Sequence, residues 1–213
     1  MLKLYDDYHP ELATCYNSIA VIYTKLNRFD EALIAFMASL NILNKIHYGN
    51  HYTIATCYEN ISNLYSNIEE YEKSIINAKY AVEILIKEYG DDYLPLVTNY
   101  DLLSNSYLKL GNEIESLKYA EIAQEVLEKN DNINNIFFRH ILNNLSVTYY
   151  NIGVFEKALN MALKYEDLLK KEHLPGLYNI DRIRFLRDIY YRLGNNIKVV
   201  ELNNEIELLI NRT

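Results

Sequence analysis

The side chains with the most chemical potential here are few and poorly grouped. There are five histidines and two cysteines. His47 and His51 have the H-x3-H spacing of a zinc helix, but Gly49 and Asn50 lie between them and break the helix that would align both rings. No cysteine or carboxylate pattern completes a metal site, so neither metal nor cofactor is expected. Glu69-Glu70 and Asp91-Asp92 are adjacent acids placed as solvated helix ends, not as a catalytic pair. There is no glycine-rich phosphate loop and no G-x-S-x-G nucleophile turn. The residues therefore point away from an enzyme.

Two further groups need positioning to be understood. Tyrosines recur along the chain and could stack nucleobases, as on single-strand binders. Their helical spacing instead marks them as core. Cys15 and Cys57 occupy equivalent places 42 residues apart. Equivalent Cα atoms of stacked helix pairs lie roughly 8–10 Å apart, whereas a disulfide needs less than about 7 Å. Both cysteines are expected to be free, buried, small core residues.

The element that positions all of these is a repeat. His9-Pro-Glu-Leu-Ala-Thr-Cys-Tyr16 returns as His51-Tyr-Thr-Ile-Ala-Thr-Cys-Tyr58 after 42 residues. The same step reaches Tyr100 and then Leu142. A period of this length means stacked supersecondary units rather than a globule around one pocket. In each unit a first helix carries an i, i+3, i+4, i+7 stripe. The stripes are Tyr16/Ile19/Ala20/Tyr23, Tyr58/Ile61/Ser62/Tyr65, Tyr100/Leu103/Ser104/Tyr107 and Leu142/Leu145/Ser146/Tyr149. The third member is always Ala or Ser, which lets a second helix approach closely. A short turn follows, with Gly111, Gly153 and Gly194 placed to end the first helix in a left-handed conformation. Ten helices are expected, near 10–25, 29–46, 52–67, 71–88, 94–109, 113–129, 135–151, 155–171, 177–192 and 196–211, with no sheet.

Composition agrees. Half of the 213 residues are hydrophobic, Gly and Pro are scarce and no linker-like stretch occurs. A net charge of −8 and a pI near 5.2, without a basic stripe, oppose nucleic-acid binding. No apolar run is long enough for a signal peptide or a membrane span, so a cytoplasmic chain with no membrane contact is expected.

These residues resemble the tetratricopeptide pattern, W-x2-L-G-x2-Y followed by A-x3-F. Tyr16, Ile19, Ala20, Tyr23, Ala32 and Phe36 fit it in the first unit. Leu145, Ser146, Tyr149, Gly153, Phe155 and Ala158 fit it in the fourth. The 42-residue period and the His-Pro-x-x-Ala-Thr opening are similar to the long repeats of kinesin light chains. The resemblance implies an all-α, right-handed superhelical solenoid of about five helix-turn-helix repeats, forming a single array over 1–213. The units fall near 10–51, 52–93, 94–134, 135–176 and 177–213. Unit three has Glu113 where the packing aromatic belongs. Unit five is displaced by one residue, as a capping repeat would be.

The resemblance further implies a concave groove lined by the first helices. Its candidate peptide-binding residues are Asn17, Lys25, Asn60, Asn63, Asn105, Lys109, Asn143, Asn144, Tyr150 and Arg184, with Glu59, Asp101, Asp181 and Asp188 balancing the cations. Asn offers both donor and acceptor and suits a peptide backbone. The family's carboxylate clamp for chaperone tails is absent, since Asn17, Val21, Thr98 and Leu102 occupy its places. The expected function is a non-catalytic scaffold or adaptor that binds a peptide or protein segment. A peptide-sensor module of a larger bacterial regulator is the alternative. Residues 1–9 resemble 86–95 and read as the tail of a truncated preceding repeat. This implies a longer array, or an N-terminal face covered by another subunit, with self-association through uncapped ends.

Overall fold

The computed structural model describes residues 9–47, 51–130, 136–171 and 180–211. Among them the chain forms ten α-helices and no strand. They are α1 (Pro10–Lys25), α2 (Phe29–His47), α3 (Tyr52–Asn67), α4 (Tyr71–Tyr89), α5 (Leu96–Lys109), α6 (Glu113–Lys129), α7 (Ile136–Ile152), α8 (Phe155–Lys171), α9 (Ile180–Arg192) and α10 (Asn196–Ile210). Every expected helix is present, with ends within three residues of those anticipated. The chain divides into two compact units, Met1–Lys129 and Asn130–Thr213. The first contains the hairpins α1/α2, α3/α4 and α5/α6. The second contains α7/α8 and α9/α10.

Each hairpin is closed by the same backbone device. Asn27, Glu69, Gly111, Gly153 and Gly194 stand at equivalent turns, all with positive φ, from 56° to 87°. Glycine reaches this region without steric cost, whereas Asn27 and Glu69 hold it against a Cβ clash. The next residue then donates its N–H to a carbonyl five positions back. The acceptors are Tyr23, Tyr65, Tyr107, Tyr149 and Tyr190, at 2.8–2.9 Å. That is the longer hydrogen bond of a Schellman closure, and it satisfies a carbonyl the helix end would orphan.

The starts of the first helices are also set by sequence. His9 and His51 are N-caps whose Nδ1 atoms accept the N–H groups of Glu11 (3.3 Å) and Thr53 (3.2 Å). Pro10 occupies the first turn of α1, where its missing N–H costs nothing. The His47 side chain lies outside the described residues. No cluster of three metal-ligating side chains occurs among the described ones.

Small residues let the paired helices approach. Ala20, Ser62, Ser104 and Ser146 are all fully buried. The Ser62 hydroxyl donates to the Ser74 carbonyl of α4 (2.9 Å), and Ser104 donates to Ser116 of α6 (2.8 Å). Ser74 Oγ also lies 3.0 Å from Ser106 Oγ, tying the second hairpin to the third. A buried hydroxyl left without a partner would cost about 1–3 kcal/mol, so these serines come as sets. Of the stripe tyrosines, Tyr100 and Tyr149 are buried, while Tyr16, Tyr23, Tyr58, Tyr65 and Tyr107 are half-buried. Where Glu113 replaces the packing aromatic, Tyr119 of α6 stacks on Tyr107 with centroids 5.6 Å apart.

One expectation fails. Cys57 is buried with its Sγ 3.6 Å from the Phe36 carbonyl, and burial pushes its thiol up to about 12. Cys15 is exposed. The position lies on the side of the first helix that faces the preceding hairpin. α3 has α2 in front of it, but no described helix precedes α1.

Candidate functional site

In the first unit the candidate groove is the face of α1, α3 and α5 turned away from the second helices. Its polar residues bond between repeats. Asn60 Nδ2 of α3 donates to Asn17 Oδ1 of α1 at 3.2 Å. Asn99 Nδ2 of α5 donates to Glu59 Oε2 of α3 at 2.9 Å. Asn63 instead donates to the Glu59 carbonyl one turn back on its own helix (3.2 Å). Asn105 is half-buried on α5, while Lys25 and Lys109 are exposed in the last turns of α1 and α5. The Asn17–Asn60 bond uses one N–H and one oxygen lone pair. The two amides retain further donors and an acceptor, held in a fixed orientation.

The charges are less balanced toward solvent than the sequence implied. Asp101 is buried. Glu59 is half-buried, and desolvation raises its carboxyl to about 7, although the Asn99 N–H acts to lower it. The carboxylates that offset Lys25 and Lys109 are thus drawn inward, and this face carries exposed positive charge. A shallow pocket of about 160 Å3 lies beside it, lined by residues that include Thr14, Asn17, Tyr52, Thr53 and Thr56.

The second unit is organised around a residue that sequence reasoning passed over. Arg182 of α9 is buried and donates from Nε to Glu166 Oε1 of α8 (2.7 Å). Its Nη1 donates to Asn143 Oδ1 of α7 (2.8 Å), and its Nη2 to the Ala162 carbonyl (3.0 Å). The guanidinium also sits 4.2 Å from the Tyr165 ring centroid. Asn143 is thereby committed to Arg182. Tyr150 packs edge-on against Phe155 (5.6 Å) and Phe185 (5.4 Å). Arg184 is exposed and pairs with Asp181 at 3.2 Å. Asn144 is half-buried on α7.

The signal for Arg182 was present in the repeat register. With the one-residue displacement of the last unit, it falls on the position of Cys15, Cys57, Asn99 and Ile141. Cys57, Asn99 and Arg182 each bond to the hairpin before their own. A polar residue there is an inter-repeat tie, and a carboxylate in the preceding hairpin is its natural partner.

Within each unit, helical hairpins with this period and these ties have the geometry of tetratricopeptide-type repeats. The family model of the tetratricopeptide repeat matches residues 12–50, most of the first helical hairpin and no more. The structure is similar to BtubC (BKLC) from P. vanneervenii, with a TM-score of 0.80 at 16% identity, covering 95% of this chain and 81% of that one. It is also similar to kinesin-light-chain TPR-like repeats of Podosopora anserina, with a TM-score of 0.76 at 15% identity, covering 96% and 97%. YrrB, described as a TPR protein with an unusual peptide-binding site, matches with a TM-score of 0.57 at 19% identity, covering 90% and 82%. No curated protein matches the sequence. The chain has the fold of tetratricopeptide-like repeat proteins, kinesin-light-chain-like repeats included. No helix among the described residues is long and apolar enough to cross a membrane.

Proposed function

We propose that the chain is a non-catalytic scaffold or adaptor that binds an extended peptide or protein segment along its first-helix faces. Tetratricopeptide repeats typically mediate protein–protein interaction, which gives the coarse reading. The observation that supports the finer one is the Asn17–Asn60 pair. Two amides held together between repeats present donor and acceptor at once, which is what a peptide group requires. Because they are already ordered, little side-chain entropy is lost on binding. Lys109 flanks this face, and the inward turn of Glu59 and Asp101 leaves its charge uncancelled at the surface. A segment with acidic side chains is therefore favoured over a basic one.

The test is a peptide-display selection on the full chain, followed by calorimetry with the selected peptides. Asn17→Ala and Asn60→Ala should each weaken binding about tenfold, the cost of a hydrogen bond left unmade at a dry interface. Glu83→Ala, exposed on α4, should leave binding unchanged. Peptides that ignore both Asn changes but respond to Glu83→Ala would place the binding face on the second helices and refute the proposal.

A further inference from the structure

One face of α1 differs from its counterparts in the same chain. Leu12, Cys15, Ile19 and Ile22 are exposed, the three aliphatic residues between 39% and 56%. Their equivalents Ile54, Cys57, Ile61 and Leu64 in α3 are at most 2% exposed, as are Leu96, Asn99, Leu103 and Ser106 in α5. In α3 and α5 this face packs on the preceding hairpin. The exposed apolar residues of α2, Ile34 and Met37, do not share the contrast, because their α4 equivalents Ile76 and Lys79 are exposed too. The unpartnered surface is thus a single seam on α1, spaced by alternating steps of three and four residues. That is the spacing with which one helix seats along another.

We propose that this seam is a homodimer interface, with α1 of one copy packed antiparallel on α1 of a second copy. The charges beside the seam select both partner and direction. Glu11, Ser18 and Lys25 follow one another at seven-residue steps along its flank. An antiparallel two-fold pairing sets Ser18 opposite Ser18 of the second copy, and Glu11 opposite its Lys25, on both sides of the axis. A parallel pairing would oppose Glu11 to Glu11 and Lys25 to Lys25. In the antiparallel register Leu12 meets Ile22 of the second copy and Cys15 meets its Ile19, so the apolar layers coincide with the charge pairs. The arrangement is isologous and closes at two copies. A head-to-tail stack is disfavoured, because the exposed apolar residues of α10 are broken up by Lys198, Glu201 and Glu207. None of the residues varied in the peptide test lies in this seam.

The experiment is sedimentation equilibrium of the full chain from micromolar to millimolar concentration. The expected result is a reversible monomer–dimer equilibrium. The Ile19→Glu/Ile22→Glu variant should be monomeric with unchanged helical circular dichroism. Glu11→Lys and Lys25→Glu should each weaken the dimer about tenfold, since each change creates like-charge contacts twice. The combined Glu11→Lys/Lys25→Glu variant should restore it, because both pairs are then opposite again. These side chains are exposed, so the charge variants fold. A chain monomeric at millimolar concentration overturns the proposal. A dimer that survives Ile19→Glu/Ile22→Glu, or a charge exchange that fails to restore association, overturns it equally.

Discussion

Glu59 offers the most direct test of the site's electrostatics, through Glu59→Gln. The replacement keeps an oxygen to accept the Asn99 N–H but removes the ionisable group. The carboxyl is raised from 4.5 to about 7 by burial. A group with a raised folded-state pKa holds its proton longer in the folded chain. Its stabilising effect is full below pH 4.5 and is lost as pH climbs to about 7. Above that, the folded state carries a desolvated charge that the unfolded state does not. The shift corresponds to a ceiling of about 3.4 kcal/mol. The side chain is only half-buried, and solvent screening reduces this to about 1–2 kcal/mol. The Gln variant should therefore match the wild type at pH 4.5 and exceed it by about 1–2 kcal/mol at pH 8. Urea titrations of both proteins across this range measure the difference, in which all other titrating groups cancel. A carbon-13 titration of the Glu59 carboxyl should place its midpoint near 7. A pH-independent difference, or a variant less stable at pH 8, would refute the assignment of the shift to desolvation.

Glu69 sits at φ 62° where three other repeats have glycine. Glu69→Gly should stabilise the first unit by up to about 1 kcal/mol in thermal unfolding, relief of the left-handed strain outweighing the added chain entropy. Arg182→Ala should destabilise the second unit by about 3–5 kcal/mol by leaving Glu166 buried without its partner. Arg182→Met with Glu166→Leu should recover most of that loss, as denaturant titration would show. Cys15 should react rapidly with a thiol reagent in the native chain, while Cys57, buried and with its pKa near 12, should react only on unfolding.

The helices were legible because each repeat writes the same signals at the same offsets. The small residue at Ala20, Ser62, Ser104 and Ser146, and the turn at Asn27, Glu69 and the three glycines, recur whatever surrounds them. The ties between repeats were harder to read. Asn17, Asn60 and Asn143 look like surface amides in sequence, yet their partners lie 39–43 residues away. That link depends on stacking geometry, not on local pattern. Arg182 was missed because a charged residue on an apolar stripe reads as an imperfect repeat until its carboxylate is seen. Cys15 was misread for the converse reason. Its residue type and register match Cys57, and only the absence of a described hairpin in front of it makes them different.

The turn closure bears on how such a chain grows. Its stop signal is written in the main chain, because the tyrosine carbonyl and the N–H five residues on would exist with any non-proline side chain. A copied block therefore arrives with its own punctuation and needs no agreement with its new neighbours. Length errors between blocks are harmless on the same account. The step from Gly153 to Gly194 is one residue shorter than the others, yet the Asn195 N–H still reaches the Tyr190 carbonyl at 2.9 Å. Each hairpin counts from its own turn and not from the start of the chain. Insertions in the connections between hairpins should accumulate freely in descendants of this sequence, while a single deletion between the stripe tyrosine and the turn should be purged.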